Sequence, residues 1–213
     1  MNLFDGFDDA ERKNLFSELN AKKINFDRGE YILRAGDCGV PLGIVLSGSV
    51  NVENCDIWGD RTILDNVSAG GIFAETYACL PDTPLMVDVV AAEKTEILFL
   101  NAASFSAARD TSPLRLKFLQ NLLKLTAQKN LGLSRRIFHT SPKTIRGRLL
   151  SYLSSQAAVH GSYAFAIPFD RQQLADYLCA DRSALSAELG RMRDEGLLSF
   201  RKNRFELKKT PPQ

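Results

Sequence analysis

The sequence predicts an α+β protein: an N-terminal β-barrel or jelly roll, then one long helix, then a small unit of helices closed by a hairpin. Three observations predict it. Short apolar runs separated by glycine-bearing turns fill residues 24–100, which is the texture of an all-β barrel. Leucines recur at helical spacing from Ser112 to His139, with Gly132 the one breaker among them. Finally, two short amphipathic segments joined by a tight turn stand between Asp170 and Gly196.

The charge is divided in the same way. The chain of 213 residues carries a formal net charge of +2. Cut at residue 110, it holds 9 Lys/Arg against 18 Asp/Glu on the first side and 18 against 7 on the second. Such a division describes an acidic half that avoids polyanions and a basic half that seeks them.

Taken in order, Leu3, Phe4, Phe7, Leu15, Phe16 and Leu19 are spaced for one or two short amphipathic helices. Strands are expected at 31–33, 43–46, 50–52, 62–64, 86–90 and 96–100, with turns at Gly29, Arg34-Ala35-Gly36-Asp37, Ser47-Gly48-Ser49, Trp58-Gly59-Asp60 and Gly70-Gly71. The start of the chain is acidic and lacks the apolar stretch of a signal peptide. No run reaches the roughly 18 apolar residues of a membrane span, so the expected location is the cytoplasm, with no membrane partner.

Cys38, Cys55, Cys79 and Cys179 form no CxxC pair, so reduced thiols are expected rather than a disulfide framework or a zinc site. The histidines, His139 and His160, both lie outside residues 24–100. A metal triad or a Ser-His-Asp arrangement within the barrel is therefore excluded. No catalytic residue, metal ligand or cofactor is expected, and the protein is not read as an enzyme.

At Ser112-Pro113 the pattern turns helical, because Ser is a good N-cap and Pro suits the first helical position. The helix is expected to run about 26 residues, on the order of 39 Å. Its leucines, including Leu116, Leu119, Leu122, Leu123, Leu125, Leu131 and Leu133, make a stripe too wide for a lone surface helix. One face is expected to pack on the barrel and another on the same helix of a second subunit. Ser141-Pro142 repeats the start signal and predicts a helix to about Gln156, leaving His139-Thr140 as a joint. A strand at 163–167 follows.

Asp170-Arg171-Gln172-Gln173 fits a capping box, and opens a helix with Leu174, Tyr177 and Leu178 inward. After the turn Cys179-Ala180-Asp181, a second helix from Arg182 to Glu195 places Leu185, Leu189 and Met192 inward, and Gly196 ends it. Two short helices on a tight turn make a helix-turn-helix. The outer face of the second helix carries Arg182, Ser183, Ser186, Ala187 and Gly190. Small residues let a helix sink into a major groove, and Arg can contact a guanine edge bidentately. Arg171, Arg191, Arg193, Arg201, Lys202 and Arg204 surround it at a density suited to phosphates, the last three on a basic hairpin.

Barrel, long helix and winged helix-turn-helix, in that order, resemble the Crp/Fnr family of bacterial transcription regulators across essentially the whole chain. The family-like strings are Arg171-Gln172-Gln173-Leu174-Ala175-Asp176-Tyr177-Leu178 and Asp181-Arg182-Ser183-Ala184-Leu185-Ser186, together with Arg34-Ala35-Gly36-Asp37 and Leu46-Ser47-Gly48-Ser49-Val50. The resemblance implies a sensor domain at 1–110, a dimerisation helix at 111–139 and a DNA-binding domain at 140–213. It also implies a homodimer on a palindromic operator in double-stranded DNA, RNA polymerase as a partner, and a small effector held between barrel and long helix. The expected DNA-binding residues are Arg171, Gln172, Arg182, Ser183, Ser186, Ala187, Arg191, Lys202 and Arg204.

In cyclic-nucleotide-binding members a Glu holds the ribose, and about ten residues later an Arg-Ser or Arg-Thr pair clamps the phosphate, a charge-assisted bidentate contact. Here the acid is Glu75, and the clamp position is occupied by Leu85-Met86 in a stretch, 72–88, without Lys or Arg. The expected effector is therefore apolar or aromatic rather than cyclic AMP or GMP. Its expected site is Phe73, Glu75, Thr76, Tyr77, Leu85 and Met86, with Leu122 and Leu125 of the long helix. A cyclic-nucleotide receptor and a thiol-redox-switched regulator of the same fold stand as alternatives. The recognition helix carries Ser183 and Ala187 where relatives with known half-sites use Glu and Arg, so no operator consensus follows from it.

Overall fold

Strand 96–100 reads as nearly unbroken apolar sequence because both of its faces are buried. A computed structural model describes residues 3–55, 58, 61–101 and 112–208. Among these, the first unit, Met1–Ala127, contains helix α1 (Asp9–Glu18) and strands β1 (Lys22–Phe26), β2 (Tyr31–Leu33), β3 (Leu42–Ser47), β4 (Ser49–Cys55), β5 (Arg61–Ser68), β6 (Ile72–Phe73), β7 (Asp88–Ala91) and β8 (Thr95–Leu100). They form two four-stranded antiparallel sheets, ordered β1-β8-β3-β6 and β2-β7-β4-β5. Alternation along β8 sends Ile97 and Phe99 into an apolar cluster with Val45, Val50 and Val89. It sends Leu98 and Leu100 to the opposite side, onto Leu15, Leu19 and Phe118.

Two glycines fix how the strands meet. Gly48, at φ +77°, makes the one-residue turn from β3 to β4, and a Cβ there would stand 2.5 Å from the Lys94 carbonyl oxygen. At Gly43 a Cβ would stand 2.1 Å from Cζ of Phe73, so the Phe73 ring lies flat against bare backbone.

Helix α1 begins with a reciprocal capping box, Glu11 N–H donating to Asp8 Oδ1 at 2.8 Å and Asp8 N–H to Glu11 Oε2 at 3.0 Å. The long helix α3 (Pro113–Thr140) starts as expected, with Arg115 N–H donating to Ser112 Oγ at 3.3 Å. Its first turns pack on α1. Phe118 and Leu122 enter the core, and Asn121 donates to the carbonyls of Leu3 and Asp5 at 3.1 and 3.0 Å. The Trp58-Gly59-Asp60 turn, apart from Trp58, and the expected boundary at residues 110 and 111 lie outside the described residues.

One expected strand is shorter than the sequence suggested. Residues 86–87 lie outside β7, and Met86 is 76% exposed. The loop at 36–37 captures Leu85 instead, Gly36 N–H donating to the Leu85 carbonyl at 2.8 Å and Leu85 N–H to the Asp37 carbonyl at 2.9 Å.

The second unit, Gln128–Gln213, holds the end of α3, helices α4 (Ile145–His160), α5 (Arg171–Tyr177) and α6 (Arg182–Asp194), and strands β9 (Ala164–Ala166), β10 (Leu198–Arg201) and β11 (Arg204–Leu207). The sheet runs β10-β11-β9, all antiparallel. Its core joins Leu149 and Leu153 of α4 to Leu174, Leu185, Leu189 and Phe205. The second start signal is corrected here. Ser141 closes α3 rather than opening α4, its hydroxyl donating back to the Ile137 carbonyl at 2.6 Å. Helix α4 starts three residues later, where Thr144 caps it by accepting from Gly147 N–H at 3.0 Å.

Candidate nucleic-acid interface

Helix α5 opens on the expected capping box, with Gln173 N–H donating to Asp170 Oδ1 at 2.8 Å and Asp170 N–H to Gln173 Oε1 at 2.9 Å. The chain leaves it through Cys179 in the left-handed conformation, φ +52°, and Asp181 caps α6 by accepting from Ala184 N–H at 2.8 Å. The Ser183 hydroxyl and the Ala184 amide hold the Asp181 carboxyl below the usual carboxylate range. Leu185, Leu189 and Met192 are fully buried and Ala175 sits at the crossing with 0% exposure, so the two helices hold one geometry.

Two arginines that the sequence reading passed over keep that geometry. Arg148 of α4 donates to the Leu178 carbonyl at 3.1 Å and the Cys179 carbonyl at 2.7 Å, satisfying the open C-terminal end of α5. Arg146 reaches α6 and the residue after it, with Nε 2.6 Å from Glu188 Oε1 and a bidentate pair to Glu195 at 2.7 and 2.8 Å. Those contacts push its pKa up, the Glu195 bond contributing most. The available signal was two arginines in the first turn of a helix, where the macrodipole disfavours cations, so each needed a partner.

The outer face of α6 has the opposite character. Arg182, Ser183, Ser186 and Ala187 are all exposed. Ser186 is turned back to the Arg182 carbonyl at 2.8 Å, and Gly190 has open space where a Cβ would project. The Arg182 guanidinium forms no ion pair among the described residues. Arg191 pairs with Glu188 at 2.9 Å, and Gln172 donates to Asp176 at 2.8 Å.

In the hairpin, Arg201 of β10 stands directly opposite Arg204 of β11, with Lys202 between them at the tip. Like charges facing across a ladder are destabilising, and neither arginine has an acid partner among the described residues. Arg171 lies elsewhere than the outer face. It donates to the Lys202 carbonyl at 3.3 Å and lies over the Phe200 ring at 5.1 Å, and its burial lowers its pKa. It fastens the wing to the start of α5.

The residues expected around an effector are divided between surroundings. Phe73, Tyr77 and Leu85 share one apolar cluster, while Leu122 and Leu125 pack in the other, against α1 and the far face of β8. Glu75 is buried in the first turn of the short helix α2 (Glu75–Cys79), Thr76 is exposed, and Tyr77 Oη accepts from Met86 N–H at 3.4 Å. At the clamp position Leu85 is 4% exposed within the core, and no basic residue occurs between Arg61 and Lys94. That stretch therefore lacks the cation that makes a charge-assisted bond to a phosphate.

Residues 23–112 match the family model of the cyclic nucleotide-binding domain, and residues 147–211 match that of the Crp-like helix-turn-helix domain. Comparison with curated proteins yields no match. Among solved structures, the chain is similar to the Catabolite Activator Protein of Thermus thermophilus, at 24% identity and a TM-score of 0.53 over 97% of this chain and 93% of that one. It is also similar to CLP, the c-di-GMP responsive global regulator of Xanthomonas campestris, at 17% identity and a TM-score of 0.56 over 95% of this chain and 100% of that one. These likenesses show the fold. No helix among the described residues is long and apolar enough to cross a membrane. With a cyclic nucleotide-binding fold and a Crp-like helix-turn-helix on one polypeptide, the chain belongs to the Crp/Fnr family of DNA-binding transcription regulators.

Proposed function

We propose that this regulator works as a homodimer on a two-fold symmetric operator, with Arg182, Ser183, Ser186 and Ala187 at the bases and Lys202, Arg204 and Arg191 at the phosphates. The observation that carries the dimer is a heptad on the exposed side of α3. Leu116, Leu123, Asn130 and Ile137 recur every seven residues, with Leu119, Thr126 and Leu133 between them. Leu123, Leu133 and Ile137 are 69%, 64% and 65% exposed, a cost that a partner helix removes. A polar Asn at one such position sets register and strand number.

Control comes from a small apolar or aromatic effector rather than a cyclic nucleotide, with Glu75 and Tyr77 as polar fixtures in the barrel and RNA polymerase as the downstream partner. Analytical ultracentrifugation tests the dimer: Leu123→Glu combined with Ile137→Glu yields a monomer, whereas an unchanged dimer refutes the heptad. Selection from random DNA tests the operator. The expected product is an inverted repeat with half-sites about 34 Å apart, or one turn of duplex. Asymmetric sites would overturn the two-fold reading.

A further inference from the structure

The second unit contains a recess of about 620 Å³ between the last turns of α3, one side of α4, the Pro168-Phe169 segment before α5 and Tyr177 at the end of that helix, within the size range of small-molecule sites. Its wall is aromatic. Tyr152 lies 6.0 Å from Phe169 and 5.4 Å from Tyr177, and Phe169 lies 5.0 Å from Tyr177, ring centre to ring centre. His139 stands edge-on to Tyr152 at 5.4 Å and holds Nδ1 3.0 Å from Tyr177 Oη. The lining includes one cation, the exposed Arg135, together with Gln156, and no acid.

Tyr152 is the informative member. It is 2% exposed, and its hydroxyl is the one buried side-chain polar atom without a hydrogen-bond partner among the described residues. Leaving such a group unsatisfied is costly, and a side chain that both lines a recess and carries an unmet donor is suited to a ligand. Burial pushes its pKa up to about 12, so it stays a donor at neutral pH.

We propose that this recess binds a small aromatic carboxylate. The flat body of the ligand rests on Phe169 and Tyr177, the Tyr152 hydroxyl behind them donates to a carboxylate oxygen, and Arg135 supplies the countercharge. The molecule then touches α3, α4 and α5 at once and biases the first helix of the DNA-binding pair. The binding itself is independent of the operator reading; the regulatory consequence rests on it.

The test is calorimetry and fluorine NMR on the full chain with 4-fluorobenzoate, without DNA. Saturable binding is expected, weakened about tenfold in Tyr152→Phe and similarly in Arg135→Gln, each loss being that of one charge-assisted hydrogen bond. Because the hydroxyl has no partner, Tyr152→Phe is expected to keep or raise Tm. No saturable binding by the wild-type chain overturns the proposal. So does a loss that follows Tyr77→Phe and not Tyr152→Phe, which puts the molecule in the barrel. If 4-fluorobenzoate binds as expected and no DNA is bound with or without it, the recess stands and the regulatory reading falls.

Discussion

The arginines at the start of α4 and those on the α6 face and hairpin tip carry the same charge in opposite surroundings. Arg146 and Arg148 are spent within the protein, on Glu188, Glu195 and the carbonyls that end α5. Arg182 stands exposed without an ion pair among the described residues, and Arg201 faces Arg204 across the ladder with no acid between them. Cations that this fold uses for itself come with partners; of those proposed at DNA, Arg182 and Arg204 form no ion pair among the described residues, while Arg191 is shared with Glu188. In this unit, the difference marks out the proposed contact surface more sharply than the count of basic residues does.

Breaking the scaffold gives the largest effect. Leu189→Ala, in the fully buried face of α6, is expected to cost about 2–5 kcal/mol in chemical denaturation and to remove DNA binding with it. Arg146→Met follows, taking the bidentate partner from Glu195 and leaving Glu188, whose side chain is 12% exposed, to Arg191 alone. Tm falls, while the dependence of DNA affinity on salt keeps its slope. A changed slope would move Arg146 to the contact set.

Breaking the contact surface leaves stability alone. Arg182→Ala is expected to cost about 1–3 kcal/mol on the selected site and far less on random DNA, as a base contact does. Equal weakening on both reassigns it to phosphate. Arg204→Gln is expected to lower the slope of log affinity against log salt by about 1 and, by relieving Arg201, to raise rather than lower Tm.

The smallest effect is one of pH. Burial, with Arg135 adding to it, holds the pKa of His139 below its ordinary value of 6.5. The folded form therefore keeps His139 neutral, and its stabilising contribution is whole above pH 6.5. It declines as pH falls below that value, because the unfolded chain takes up the proton first. A Tm that drops from pH 8 to pH 5.5 in the wild-type chain, and drops less in His139→Gln, is the expected record.

Much of this was legible because short-range rules governed it. Asp170 with Gln173, Asp181, Ser112-Pro113 and the Leu185, Leu189 and Met192 spacing each carry their structural cause within a few residues. The misread places have their causes further away or in competition. Ser141-Pro142 can close one helix as readily as open the next, and the hydroxyl's bond to Ile137 decides it. Arg146 answers to glutamates 42 and 49 residues distant, which no local spacing announces. Around the barrel, β3 and β8 are buried on both faces, so apolar sequence alone does not say that Phe73 and Leu122 go to opposite sides. The expected effector residues are divided between the two clusters for that reason.

Asn130 gives the proposed α3 pairing a consequence beyond register. Its amide is accommodated when the facing helix offers the same amide at the same height, and it is stranded against a leucine. Every other protein in the cell with a similar leucine-faced helix is a rival for this surface. A single polar residue in the seam makes each copy a poor match for those rivals and a good one for itself, so this regulator's partner is chosen before any DNA is read.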